Sequence, residues 1–382
     1  MTEPAEPVEN VAPEAAPTEN GPAPAAAPRR GLYITPRQAF GALAVALALA
    51  LIALIAYLLY ILQPHSLGVR GGATVDGIKP LFTIEGPGAG KYPTFNRPLG
   101  VTFGSDGRIY VSDTGNNRVC MFDANGDFIK EWGTFGVAKP AKGGVYSWQP
   151  GRFNFPDGIA ADDQGDVYVA DFRNDSIQVF DRDGRFLRRF PDPTKPVGRG
   201  SSGQEGTGIA VTSVAVAGGK VYATDTYQVF VFTTAGKVLE QFGKPGRGKG
   251  DLDHPNGVAA APNGTIYVSD SNHARVTAFD ASGTPLWNAG RIPAGMNDTS
   301  SAEFDLPRGL AVMSDGSVVV VDVFGFDLVK LSPAGKVLGK YGSRGVEPGQ
   351  FNFPNDVSAL GTKLAVADKE NNRVQVLQLV NQ

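Results

Sequence analysis

The chain has 382 residues, a net charge of −3, 49 glycines, three histidines and a single cysteine. That charge argues against a general nucleic-acid binder. One cysteine, Cys120, can form no internal disulfide, and three histidines leave little for metal chemistry.

Residues 1–38 open with a Pro-, Ala- and Glu-rich stretch that cannot bury a core, so a disordered tail is expected there. Positions 40–62 then run without a charge, rich in Ala and Leu. At about 1.5 Å per residue such a run spans a hydrocarbon core of about 30 Å. Tyr57 and Tyr60 stand near its far end, where amphipathic aromatics anchor, and no small-residue cleavage site follows. The expectation is one uncleaved transmembrane helix over 39–63. Arg29, Arg30 and Arg37 precede it, against Arg70 and Lys79 beyond. Positive-inside bias puts the N-terminus in the cytoplasm and the rest outside a bacterial-type cell. Ala42, Ala46 and Ala50 form a small-residue row of the kind that lets two such helices pair. Residues 64–77 read as a tether.

From residue 78 onward the same phrase recurs six times, closing on Asp113, Asp171, Asp225, Asp270, Asp322 and Asp368. Typical copies are Arg108–Asp113 (RIYVSD) and Asp166–Asp171 (DVYVAD). A period near 50 residues, rich in β-branched and aromatic side chains, indicates propeller blades. Each unit opens with Pro-x-Gly or a relative of it, from Pro98-Leu99-Gly100 to Pro354-Asn355-Asp356; the third has Val211 for the proline. Gly-bearing turns separate four short strands per unit. The second strand is apolar at successive positions, so both its faces are expected to be covered. The sixth unit has only three strands, and an orphan strand at Ile78–Glu85 is expected to complete it and close the ring. The six aspartates are expected to bond the N–H groups of their turns rather than to catalyse. Arg118, Arg275 and Arg373 stand where they can pair with them.

Pro98–Trp132, Pro156–Phe190 and Pro255–Trp287 carry a pattern that resembles the NHL-repeat family, here as a membrane-anchored bacterial type covering 78–382. The resemblance implies an all-β fold, a six-bladed β-propeller, and says little about activity. Relatives of this kind include sensor domains of receptor kinases, RNA- and protein-binding modules and a peptide-amidating lyase.

Strand counting puts the inter-blade loops and the loops after each aspartate on one rim. Long loops on a rigid scaffold tend to carry function. The first and third supply a basic, aromatic sector: Lys139, Lys142, Tyr146, Trp148, Arg152, Lys244, Arg247 and Lys249. The fourth leans acidic, with Asp298, Glu303 and Asp305. At the channel mouth, where inner strands begin, Asp157, Asn256, Asn355 and Asp356 offer oxygens that suit Ca²⁺, while Arg308 opposes a cation. No other cofactor is expected. No Ser-His-Asp set, phosphate loop or cysteine cluster is present, so a catalytic residue is not assigned. The leading expectation is a membrane-anchored binding or scaffold propeller that recognises a protein or an envelope polymer. The alternatives are a lactonase-like hydrolase or lyase with a metal at the channel mouth, and a sensor that signals through a partner.

Overall fold

The computed structural model describes residues 76–140, 146–192, 197, 209–292 and 303–380, with ten helical positions between 39 and 54. The chain divides into two units, Met1–Gln63 and Pro64–Gln382. In the first, every described residue is helical, and Leu43, Val45, Leu47, Leu49, Leu51, Ile52 and Leu54 are all exposed. No helix among the described residues is long and apolar enough to cross a membrane. The tail, Ala42, Ala46, Tyr57, Tyr60 and residues 64–75 of the tether lie outside the described residues.

The second unit is a ring of six four-stranded antiparallel sheets. Blade 1 holds β2 (Gly100–Phe103), β3 (Ile109–Asp113), β4 (Arg118–Phe122) and β5 (Phe128–Trp132). Blade 2 holds β6 (Pro156–Ala161), β7 (Val167–Asp171), β8 (Ser176–Phe180) and β9 (Phe186–Phe190). Blade 3 holds β10 (Val214–Ala217), β11 (Lys220–Thr224), β12 (Val229–Thr233) and β13 (Val238–Phe242). Blade 4 holds β14 (Pro255–Ala260), β15 (Ile266–Asp270), β16 (Arg275–Phe279) and β17 (Pro285–Gly290). Blade 5 holds β18 (Pro307–Val312), β19 (Val318–Asp322), β20 (Asp327–Leu331) and β21 (Val337–Tyr341). Blade 6 holds β22 (Pro354–Leu360), β23 (Lys363–Asp368) and β24 (Arg373–Leu379), and β1 (Ile78–Ile84) is its outer strand. β1 pairs with β24 from Ile78↔Leu379 to Ile84↔Val374. The expected closure is the observed one, and it removes two free sheet edges.

The uninterrupted apolar second strands now have their reason. β3, β7, β15 and β19 are buried at every residue. Each lies inside its sheet and is covered on both faces by neighbouring blades. Six apolar clusters fill the seams between blades. One of them joins Tyr168, Ile177 and Val179 of blade 2 to Val221, Phe230 and Phe232 of blade 3.

The Pro-x-Gly phrase is explained by crowding at the axis. Successive innermost strands run side by side around the channel. A Cβ on Gly158 would lie 2.7 Å from the Cα of Ser213. Gly100, Gly257 and Gly309 are pressed as closely by Asp157, Arg308 and Asp356. The two units that depart from glycine put a short polar side chain there and bond across the seam. Ser213 Oγ accepts from the N–H of Val258 at 3.2 Å, and Asp356 Oδ2 accepts from the N–H of Val101 at 3.1 Å. The third unit is shortened at its turn: the N–H of Asp225 closes directly onto the carbonyl of Gln228 at 2.8 Å.

Candidate functional site

The six repeated aspartates are latches. In four blades one oxygen accepts the N–H that precedes the inner strand: Asn96 to Asp113, Asn154 to Asp171, Asp253 to Asp270 and Asn352 to Asp368, at 2.7–2.8 Å. Asp322 takes both Asp305 and Leu306 at 2.8 Å. Asp225 instead accepts from the N–H of Thr226 at 2.7 Å. The second oxygen meets side chains. Arg118, Arg275 and Arg373 donate through Nε to Asp113, Asp270 and Asp368 at 2.7–2.9 Å. In blade 2, Gln178 and Asn174 fill that place for Asp171. His273 bonds Asp270 at 2.7 Å and is buried, so it is a latch partner.

The arginines also tie down incoming loops. Arg275 donates to the carbonyls of Gly248 and Asp251, and Arg373 to those of Val346, Glu347 and Gln350. Length and irregularity in these loops therefore do not by themselves signal freedom. Asp251, which accepts from the N–H of Gly248 at 2.8 Å, organises the loop that bears Lys244, Arg247 and Lys249; Lys244 lies 4.0 Å from it. In the first loop, Arg152 donates to Gln149 and to the carbonyl of Phe135. Trp148 packs on Phe186 of β9 at 5.2 Å, with Arg189 over its ring. It covers the outer strand of blade 2. Lys139 and Tyr146 belong to a two-residue bridge whose side chains lie outside the described residues, as do Lys142 and Asp298.

The concavity that does form sits at the channel mouth. It measures about 500 Å³ and is lined by Leu99, Asp157, Asn256, Arg308 and Lys369 among others. Three of the five mouth residues expected from the sequence therefore line it. The other two stand behind: Asn355 Oδ1 accepts from Arg308 at 2.7 Å while its amide donates to the carbonyl of Leu99 at 2.8 Å. Asp356 faces the channel further in, where the inner strands line it. The Asn355 and Asp356 oxygens are thus engaged by protein donors. Among the described residues no group of three or more His, Cys, Asp or Glu is placed to hold a metal.

Arg97, Asn96, Thr114, Phe155, Phe172 and Lys369 also line it and were not singled out from sequence. A signal for them was present. Arg97 and Phe155 directly precede the opening prolines, and Thr114, Phe172 and Lys369 directly follow the latch aspartates. Arg97 and Phe155 have φ of +52° and +65°, as do His254 and Phe353 near +50° at the same repeat position. Recurrence in four blades marks this backbone as part of the repeat. Asn117 and Asn372 support it by accepting from the N–H groups of Phe155 and Arg97.

Charge is distributed unevenly over this mouth. Arg97 and Lys369 both pair with Glu370, at 2.6 and 3.4 Å. Burial holds Lys369 below the usual lysine range. Burial also pushes the Asp157 carboxyl up to about 7, against the pull of Arg308 and Lys369. Asp356 is pushed to about 7 by burial too, with Asp157 adding to the effect. A second hollow of about 330 Å³ adjoins the first and shares Arg97, Arg308 and Lys369 with it. Its other wall is apolar: Leu306, Val323, Phe324 and Phe353.

The SMP-30/Gluconolactonase/LRE-like region matches residues 93–215, and an NHL repeat matches 252–279. Among curated proteins, the chain is 32% identical over 152 residues to Protein brain tumor of Drosophila melanogaster, covering 39% of this chain and 14% of that one. It is 30% identical over 190 residues to Peptidyl-glycine alpha-amidating monooxygenase A of Xenopus laevis, covering 46% and 18%. It is also 30% identical to the human E3 ubiquitin-protein ligase TRIM32 over 143 residues, 36% and 21%. The matches thus span about a fifth or less of these relatives. Among solved structures, a Bacteroides thetaiotaomicron protein of unknown function superimposes with a TM-score of 0.57 at 16% identity, covering 81% of this chain and 76% of that one. A gluconolactonase from Xanthomonas campestris gives 0.53 at 16% identity, covering 83% and 99%. At such identities the likeness is one of fold. The chain is a six-bladed β-propeller with SMP-30/gluconolactonase-like and NHL-type repeat sequence.

Proposed function

We propose that this protein is a membrane-anchored propeller that binds a protein or cell-envelope ligand on the rim of the inter-blade loops, with the channel mouth as its centre. The observation that carries the reading is the pair of adjoining hollows, about 500 and 330 Å³, that share three cationic side chains between apolar walls. Cavities of this size with a few convergent polar groups are the usual form of a ligand site. The site moves inward from the basic loop sector that the sequence emphasised, because Trp148 is used in packing and the third loop is organised by Asp251. Anchoring rests on the uncharged run 40–62 and on the exposed apolar side chains of its described helical positions. The match of this chain to a fifth or less of longer curated proteins fits a module that works alongside other parts.

The test uses the full chain in intact cells with a photo-crosslinking residue at Phe324, or at Asp106 on the opposite rim. Adducts are expected from Phe324 and not from Asp106. The reverse pattern would place function on the other face. Protease added to spheroplasts is expected to digest the propeller, and full protection would reverse the orientation.

A second reading, hydrolysis or elimination at the mouth, is favoured by the gluconolactonase-like match over 93–215. Asp157 is the one carboxylate on the larger hollow among the described residues. Lactone turnover with and without added divalent metal separates the two readings.

A further inference from the structure

Leu99, Asp157, Thr212, Asn256, Arg308 and Asn355 occupy one repeat position, the residue after the opening proline or its substitute. Each begins an inner strand, so the six form a ring around the mouth. Asp157 belongs to blade 2 and Arg308 to blade 5. Three blades apart in a ring of six, they face each other across the axis.

Neither is neutralised. Asp157 is 7% exposed, yet its carboxylate has no hydrogen bond or ion pair among the described residues. Arg308 bonds Asn355, a neutral amide, and no carboxylate pairs with it among the described residues. A buried charge without a partner is costly, and each group has an opposite charge in view that it does not reach. The other cations of the mouth differ, since Arg97 and Lys369 already hold Glu370. Leu99, Phe155 and Phe172 supply an apolar wall in the same cavity.

We infer that the channel mouth takes a small zwitterion with an apolar body, its ammonium on Asp157 and its carboxylate on Arg308. An apolar amino acid and a short peptide with free termini share this chemistry, and the cavity of about 500 Å³ has room for either. A ligand of this kind completes both charges at once. A simple anion leaves Asp157 unpaired beside a second negative charge, and a simple amine leaves Arg308 unpaired. The inference rests on the mouth being the binding site, as proposed above.

Calorimetry on the full chain in detergent tests it with L-phenylalanine and with L-leucyl-L-phenylalanine. Each is used free, N-acetylated and C-amidated. One free form is expected to bind at least tenfold tighter than both of its blocked forms, and which one does so separates amino acid from peptide. Asp157→Asn should abolish the preference for the free over the acetylated form and leave the preference over the amide. Arg308→Gln should do the opposite. Unchanged circular dichroism and melting would show that both variants fold. Blocked forms that bind as tightly as free ones overturn the inference, as does the absence of binding by every probe at millimolar concentration. If Phe324 still gives adducts in those cases, the mouth remains the binding site and only the zwitterion falls. If those adducts vanish too, both readings fall.

Discussion

Two sets of buried aspartates meet opposite fates in this molecule. Asp113, Asp270 and Asp368 are fully buried and fully engaged, each by a backbone N–H and an arginine. Asp157 is nearly as buried and engaged by nothing among the described residues. Aspartates at the first position recur once per blade, and in five blades they are seen to fasten the incoming loop to their own sheet. The second occurs in one blade only, at a position where the other blades carry Leu99, Thr212, Asn256, Arg308 and Asn355. Repetition with full satisfaction marks architecture, while a departure from the repeat that leaves a charge unsatisfied marks a place that expects something from outside.

The largest effect comes from breaking the ring on which both sets depend. A chain that starts at Gly86 lacks β1 and uncovers the edge of β24. It also loses Ile78 and Ile84, both fully buried, worth about 1.5–3 kcal/mol each. Aggregation or loss of a cooperative melt is expected relative to a chain that starts at Val69. Equal melting temperatures would mean that closure does not depend on this strand.

Next in size are the latches. Asp113→Ala takes the fully buried carboxylate from Arg118, which is 3% exposed and keeps Glu131 as its second acidic partner. Removing one partner of a buried pair costs about 3–5 kcal/mol when the other charge is left uncompensated, and with Glu131 still in place the loss is expected at the low end of that range. Asp171→Ala should cost less, about 1–3 kcal/mol, because its side-chain partners are the neutral Asn174 and Gln178. Urea unfolding of the two variants side by side measures the difference. Equal losses would show that the arginine adds nothing to the latch.

The aspartates, their arginine partners and the strands were legible in the sequence because they repeat. The aspartates were expected to hold their own turns, however, and all except Asp225 take N–H groups 16 or 17 residues upstream instead. Period, turn glycines and the apolar second strand all report the same blade, and Pro-x-Gly reports the crowding at the axis. The mouth was legible only in part. Asp157, Asn256 and Arg308 were found by position, yet Arg97, Phe155, Phe172 and Lys369 lie at equally fixed positions and were passed over. Their residue types differ from blade to blade, so no motif announces them; only placing them in the ring brings them together. The basic loop sector drew attention by composition, but composition does not show that Trp148 is spent on Phe186 or that Arg275 pins the carbonyls beside Arg247.

The mouth aspartate should behave unlike any latch. Asp157 titrates near 7 in the folded protein and near the ordinary carboxylate value of about 4 when unfolded. Arg308, Lys369 and Asp356 are the charged groups that act on it or respond to it. Between those two pH values the folded state holds the extra proton. Its contribution to stability is therefore present below about 4 and is lost as the pH rises through 7. Asp157→Asn gives up no hydrogen bond and removes the buried charge. It should raise the melting temperature at pH 8, by a few degrees at most for a domain this large. The gain should shrink as the pH falls through 7 and vanish below about 4. A loss of stability at pH 8 would show that the ionised carboxylate is already compensated within the protein.

The smallest effect on stability belongs to the rim. Glu370 pairs with Arg97 and Lys369, and Arg97 and Glu370 are 60% and 31% exposed. Burial acts to raise the Glu370 carboxyl, yet Arg97 and Lys369 hold it below the usual carboxylate range. An exposed pair of this sort is worth about 0–1 kcal/mol, so Glu370→Gln should barely change the melt. It should nonetheless change the mouth, because Arg97 and Lys369 then join Arg308 as cations without a carboxylate. The N-acetylated, purely anionic probe should bind several-fold tighter to this variant than to the parent chain, and the gain should shrink with added salt. The amidated, purely cationic probe should bind more weakly. If both probes respond alike, the variant has altered the shape of the rim and not its field, and the division of labour between paired and unpaired cations at the mouth would be wrong.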